Sequence, residues 1–277
     1  MEYLISLWQQ TFIQNAVITA VLSCIACGIT GTFVVVRRLT YLGGGIAHSV
    51  LGGLGIAVFF GFAPLLGALG FALGAAFLLG WVTLRFRQHE DTVISALWSV
   101  GMAIGVVFMY LTPGYNVNLI SFLFGNILMV TGQNILLLAV IDLLIVATVA
   151  VLFRQMVAVA FDQEYASLRG INAGAIYLVI LVMVALTVVI LIQTVGLILV
   201  IALLTLPPSL ARLMVKTTGA MMAWSVALSL VFTLLGLALS FAANLPSGAS
   251  IILVTGGFYF AALLFLRLKS ALKNPAS

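Results

Sequence analysis

His48 is the side chain of this sequence best suited to bind a transition metal, because a neutral imidazole is a good ligand for zinc and iron. Glycines flank it on both sides within residues 41–55, and a backbone so rich in glycine bends or breaks easily. Two interpretations follow. His48 binds an ion transiently, or its ring hydrogen-bonds a backbone carbonyl in a tight glycine-rich contact.

Asp142 is the one formal charge deep inside a long apolar stretch. In a membrane such a residue costs about 2.5–3.5 kcal/mol to insert, so it must face other helices or water. One interpretation is structural hydrogen bonding, with Gln133, Asn134 or a polar group of a neighbouring helix as partner. The other is a proton or ion relay that also uses His48.

Enzyme motifs are absent from the sequence, which contains no HExxH, no GxSxG and no pair of catalytic acids. The phosphate-binding pattern GxxxxGK[ST] is absent too, since the one Lys-Thr pair, at Lys216, follows Val215. We therefore expect no catalysis, no binding of ATP by this chain and no permanently bound cofactor. Cys24 and Cys27 lie in an apolar run and are expected to pack as inert thiols.

The composition identifies the solvent that surrounds these residues. Hydrophobic residues make up 64% of the 277 residues and charged residues only 6%, whereas soluble domains carry about 25% charged residues. The apolar runs are continuous and near the roughly 20 residues that a membrane helix needs, not the roughly 10 of a barrel strand. The sequence predicts an all-α, polytopic transmembrane bundle that forms one domain over 1–277.

Nine spans are predicted, and eight if the run that ends near Gln193 is joined by a shorter re-entrant piece. The predicted spans are 12–36, 41–60, 63–84, 92–112, 132–153, 174–192, 194–211, 218–241 and 249–266.

The charges predict the orientation of this bundle. With nine spans, all 11 Lys and Arg residues fall on one side, and the positive-inside rule makes that side cytoplasmic. The N-terminus is then outside and the C-terminus inside. The net charge of +5 is spread singly and in pairs, so it is interpreted as a topology signal and not as a nucleic-acid surface.

A polar segment at 154–173 is predicted to form a short helix on the cytoplasmic side. Asp162 is suited to cap it, Glu164 lies in its first turn, Arg169 in its last, and Gly170 stops it. Such a helix either lies on the lipid surface or docks in a groove of another protein. Its apolar face consists of Phe161, Tyr165, Leu168 and Ile171.

Several blocks of sequence occur together in a characteristic order. They are RRLTYLGGGIAHSVLG at 37–52, EDTVISALWSVGMAIG at 90–105, LFGNIL at 123–128, FDQEYASLRG at 161–170, VGLILVIALLTLP at 195–207 and LPSGA at 245–249. Each block alone is weak, but together they cover nearly the whole chain. They resemble the membrane-spanning permease subunits of bacterial ABC importers for zinc, manganese and iron.

The resemblance implies partners and roles. It implies a homodimer around a central pathway in the bacterial plasma membrane, two ATPase subunits inside that bind the ATP, and a metal-binding solute receptor outside. The segment 154–173 would be the coupling segment that fits into a cleft of the ATPase. Its docking residues would be Phe161, Asp162, Glu164, Tyr165, Arg169 and Gly170.

Two positions depart from the family pattern. Relatives often carry Asp four residues before the His, where carboxylate and imidazole share one helix face, but here the position is Gly44. Asn244 stands where relatives often place an acid. The resemblance therefore favours a permease that moves a divalent metal, free or chelated, by alternating access. The alternative is a stand-alone ion- or proton-coupled secondary transporter that uses Asp142 and His48.

Overall fold

The computed structural model describes residues 11–86, 89–112, 125 and 127–273. Among these residues it contains ten α-helices, nine of them long and apolar enough to cross a membrane. The ten helices are α1 (Thr11–Val36), α2 (Thr40–Phe60), α3 (Pro64–Phe86), α4 (Glu90–Leu111), α5 (Gly132–Phe161), α6 (Gln163–Leu168), α7 (Ala173–Val195), α8 (Leu197–Met214), α9 (Thr218–Ala243) and α10 (Ser247–Lys273).

The prediction of a helical bundle with nine spans is confirmed, and each predicted span coincides with one of the long helices. The uncertain division near Gln193 is a real helix break at Gly196, whose φ of 89° favours glycine. After it, α8 has 18 residues, which is about 27 Å of helix and nearly the thickness of the hydrocarbon core. Arg87 and half of the LFGNIL block, at positions 123, 124 and 126, lie outside the described residues.

The helices form two groups that share central members. α2 packs against α3 and α4, while α1 packs against α8 and α9, and α10 packs on α8 and α9. α7 contacts both groups through α3 and α1. α1, α2 and α7 are the most buried spans, whereas α4 and α10 are mostly exposed, so the outer surfaces of α4 and α10 are left for lipid or another chain.

Glycines bring α2 and α4 into direct backbone contact. A Cβ atom at Gly52 would lie 2.8 Å from the carbonyl oxygen of Gly101, and one at Gly55 would lie 2.6 Å from that of Gly105. No larger residue fits there without a backbone shift. This is the small-residue packing that holds membrane helices together in the absence of a hydrophobic driving force. It fixes the relation between the helix that carries His48 and its neighbour.

The prediction for the segment after the fifth span is correct in part. Residues 154–161 are not a loop, because α5 continues without interruption to Phe161. Asp162 then separates α5 from the short helix α6. The short helix α6 therefore follows the 30-residue helix α5 with only Asp162 between them.

Candidate transport pathway and coupling site

His48 stacks on Trp98, which joins α2 to α4. The ring centroids are 4.3 Å apart and the rings are within 9° of parallel. Among the described residues, His48 Nδ1 has no hydrogen-bond partner although it is buried. Trp98 is itself held by its indole Nε1, which donates to Met102 Sδ at 3.1 Å. The imidazole is thus positioned by stacking, and Nδ1 forms no bond to a backbone carbonyl among these residues.

Gly44 lies one turn before His48 and faces the same indole. A Cβ atom at this position would lie 3.5 Å from Trp98 Cζ3 and 3.6 Å from Ile201 Cδ1, which is ordinary contact distance. At the next residue, Gly45, a Cβ atom would instead collide with Ile94. The sequence prediction that positions 44 and 48 share a face therefore agrees with the geometry, and a Cβ atom fits at Gly44 without a clash.

Asp142 is buried in the protein interior, with a relative exposure of only 4%. Neither carboxyl oxygen has a hydrogen-bond partner among the described residues. α5 packs on α1 and α7, whereas His48 is on α2. The structure therefore does not bring Asp142 and His48 together, and a relay between them has no geometric support in this part of the chain.

The helix α6 has the capping that the sequence predicts. Asp162 Oδ1 accepts a hydrogen bond from the Tyr165 amide at 2.9 Å, and Gly170 has a φ of 79°. Arg169 lies at the C-cap, one residue beyond the predicted last turn, and its Nη2 donates to the Tyr165 hydroxyl at 2.8 Å. These contacts make a defined, preformed helix despite its length of 6 residues.

Three apolar side chains of this segment lie on the surface, whereas Ile171, the fourth member of the predicted apolar face, packs against the core. Phe161 is 70% exposed and Leu168 is 87% exposed, while Tyr165 is also on the surface. Glu164 lies on the surface too, beside a groove of about 850 Å³ beneath α6. Its lining residues are Thr83, Leu84, His89, Glu90, Gln163, Glu164, Ser167 and Leu168. An exposed apolar patch beside acidic groups has the composition of a protein-docking surface.

Asn244 has a structural reason for its residue type. It terminates α9 in the left-handed conformation with φ 52° and ψ 42°, a region that asparagine tolerates better than most residues. Its amide N–H caps the helix by donating to the Ser240 carbonyl. The geometry accounts for Asn244 as a helix cap, whatever further contact it makes.

A cluster that the sequence analysis missed lies where the connection that follows α1 meets α4 and α7. Arg37 Nη2 and Glu90 Oε1 are 3.2 Å apart, and the Tyr177 hydroxyl donates to the same oxygen at 2.7 Å. Arg37 and Glu90 both stand in the blocks of the resemblance, but their separation of 53 residues hides the pairing. Tyr177 lies outside those blocks, and no local pattern marks it.

These contacts also define one end of the bundle. Arg37 Nη1 donates to the Val159 carbonyl of α5 at 2.9 Å, and Arg212 Nη1 donates to the Val35 carbonyl at 3.4 Å. Arginines of the first and seventh spans and the start of α6 therefore lie at the same end, which we call the basic end.

The fold and the site define a polytopic helical membrane protein of the transport class, with a preformed helix exposed at its basic end. The model of the ABC 3 transport family matches residues 9–266, and the chain belongs to that family.

Relatives extend over nearly the whole chain. The manganese transport system membrane protein MntC of Listeria monocytogenes is 31% identical over 96% of this chain and 94% of its own length. An uncharacterized membrane protein of Synechocystis is 42% identical over 96% of this chain and 95% of its own length. The structure of PsaBC from Streptococcus pneumoniae in complex with Fab contains a chain with a TM-score of 0.83 and 27% identity, covering 97% of this chain and 99% of that one.

Proposed function

We propose that this chain is the transmembrane permease subunit of an ATP-binding-cassette importer that carries a divalent metal ion across the bacterial plasma membrane. The observation that carries the proposal is the preformed, uncovered helix α6 at the basic end of a bundle whose family is ABC transport. Exposed Phe161 and Leu168 beside a groove give this helix an apolar surface on which an ATPase subunit can dock. Metal as cargo is supported by the relative from Listeria, a manganese transport system membrane protein.

The basic end is cytoplasmic in this proposal, by the positive-inside rule. An ATPase subunit supplies the nucleotide site that this chain lacks and receives α6 in a cleft. Phe161 and Tyr165 fill the cleft with apolar surface, while Asp162, Arg169 and Gly170 hold the helix in shape. Glu164 supplies a charge beside the groove. Two copies of the chain would each bring one such helix, so that closure of two ATPases moves both.

The pathway would pass the face formed by Gly44, His48 and Trp98. A single imidazole from each copy, without a carboxylate beside it, is a weak ligand set that releases an ion easily. Release matters more than affinity along a route that the ion must leave. The choice among zinc, manganese and iron would then depend mainly on the external solute receptor, which delivers the ion to the outer opening.

The test is a reconstituted complex of the chain with its ATPase subunit and its receptor. We expect ATP-dependent uptake of manganese or zinc, and we expect Glu164→Arg to lower uptake by at least about tenfold, the effect of about 1.4 kcal/mol. Asp91→Asn is the control, because it removes an exposed charge outside the coupling segment without placing a positive charge at the beginning of α4. Uptake unchanged in Glu164→Arg would contradict docking through α6. Accumulation of metal by the purified chain alone would support the secondary transporter instead.

A further inference from the structure

Arg37, Glu90 and Tyr177 form a closed cluster, here called the basic-end cluster, that connects four helices. The guanidinium of Arg37 pairs with Glu90 of α4, donates to the Val159 carbonyl of α5 at 2.9 Å and lies 4.5 Å over the ring of Tyr177 of α7. The Tyr177 hydroxyl donates to Glu90 at 2.7 Å. Each member contacts the other two, so the cluster forms or breaks as a unit.

The surroundings make this cluster rigid. Tyr177 is fully buried, and the side chains of Arg37 and Glu90 are only 12% and 23% exposed. Removing one partner of a mostly buried charge pair leaves the other uncompensated, which is strongly unfavourable. Glu90 is also the first residue of α4, where the helix dipole favours a negative charge. The carboxylate therefore ties the beginning of α4 to α1 and α7.

The cluster lies between the coupling segment and the stacked ring pair. On one side, Val159 precedes Asp162 by three residues at the end of α5, and Glu90 itself lines the groove beneath α6. On the other side, Trp98 follows Glu90 by eight residues on α4, about 12 Å along the helix axis. Since Trp98 stacks on His48, a displacement of Glu90 along α4 reaches the imidazole through one rigid helix.

We propose that Glu90 is a positioning residue for transport: through Arg37 and Tyr177 it transmits the movement of α6 to the α2–α4 helix pair that carries His48 and Trp98. This inference rests on the proposed function and assigns the step between ATPase closure and the change at the pathway. Without the Glu90 carboxylate, α5 and α6 move with the ATPase while α4 no longer follows.

The experiment measures metal ions taken up per ATP hydrolysed in the reconstituted complex of chain, ATPase and receptor. In Glu90→Gln we expect this ratio to fall by about tenfold, equivalent to about 1.4 kcal/mol. We expect Arg37→Gln to lower it similarly, and the double variant to be no worse than the poorer single variant, because residues that act as one unit are not additive. Asp91→Asn, which removes the neighbouring exposed charge, should keep the wild-type ratio.

A purely structural cluster gives a different result. Destabilisation reduces the amount of active complex, so uptake and ATP hydrolysis fall together and their ratio stays constant. A constant ratio in the variants, or additive losses in the double variant, overturns the inference. If Glu90→Gln does not fold, Tyr177→Phe carries the test, since it removes one hydroxyl donor and keeps the ring under Arg37. A wild-type complex without metal uptake would contradict the proposed function, whereas uptake with unchanged ratios in every variant contradicts only the role of Glu90.

Discussion

Replacing Gly44 by Asp distinguishes a water-filled pathway from dry helix packing at His48. The backbone permits the change, because a Cβ atom there meets its nearest neighbour, Trp98 Cζ3, at 3.5 Å. The variant therefore places a carboxylate one turn from the imidazole, on a Cβ atom that has room. What happens next depends only on the environment of that carboxylate.

The free-energy change caused by the new carboxylate has opposite signs in dry packing and in a water-filled pathway. In dry packing, the new charge costs about 2.5–3.5 kcal/mol, and the variant loses folded protein. In a wet pathway that a divalent ion visits, a carboxylate about 4 Å from the ion gains about 4 kcal/mol per unit of ionic charge at an effective dielectric of 20. Even after the desolvation cost, we expect the affinity for manganese or zinc to rise by at least about tenfold.

The assay is calorimetric metal binding by the purified chain, with the yield of folded protein measured in parallel. Gly44→Asn is the matched control, since it has the shape of Asp without the charge, and Gly45→Asp is a steric control that collides with Ile94. We expect tighter metal binding in Gly44→Asp alone, lost again in Gly44→Asp with His48→Ala. Loss of yield in Gly44→Asp that Gly44→Asn does not share, with no gain in metal binding, would refute the pathway assignment of this face.

Two further predictions concern residues away from the pathway. Asp142→Asn keeps the shape of the side chain and removes a buried acid whose oxygens lack partners among the described residues. We therefore expect the variant to have a thermal stability equal to or above that of the wild type and a transport rate within about twofold of it. Loss of transport with intact folding would instead make Asp142 functional. The orientation can be tested after the buried Cys24 and Cys27 are replaced by Ala. We expect Asn244→Cys to react with a membrane-impermeant thiol reagent in intact cells, and Ser167→Cys to react only after lysis. The reverse pattern would contradict the proposed orientation.

The sequence predicts local features of this fold well and long-range ones poorly. Hydropathy locates nine spans because the cost of polar groups in lipid acts on each segment separately. The cap at Asp162 and the stop at Gly170 are equally local, and both are present. The continuation of α5 through 154–161 was missed, because the two arguments used there, hydropathy and charge, mark the membrane boundary and not the helix end.

The candidate site likewise has local features that the sequence predicts and long-range contacts that it does not. Positions 44 and 48 share a face by helix geometry alone, so that relation follows from spacing. Stacking of His48 on Trp98 and the pairing of Arg37 with Glu90 join residues 50 and 53 positions apart, and only the packing of α2 on α4 and of α1 near α4 creates them. Asp142 is the opposite case: an acid inside a span suggested a relay with His48, but the packing of the helices does not bring the two residues together.

The packing also limits how access to the pathway can change. α2 and α4 touch through backbone atoms at Gly52 and Gly101 and at Gly55 and Gly105, and such contacts leave no side chains whose rotation could let the helices slide smoothly. α2 and α4 must therefore move together, carrying His48 and Trp98 as one body. In the proposed mechanism this pair moves through its contacts near the basic end, and the polar contacts there among the described residues include those of Arg37, Glu90 and Tyr177. In the proposed mechanism, a movement of α6 would reach His48 and Trp98 through this mostly buried charge pair.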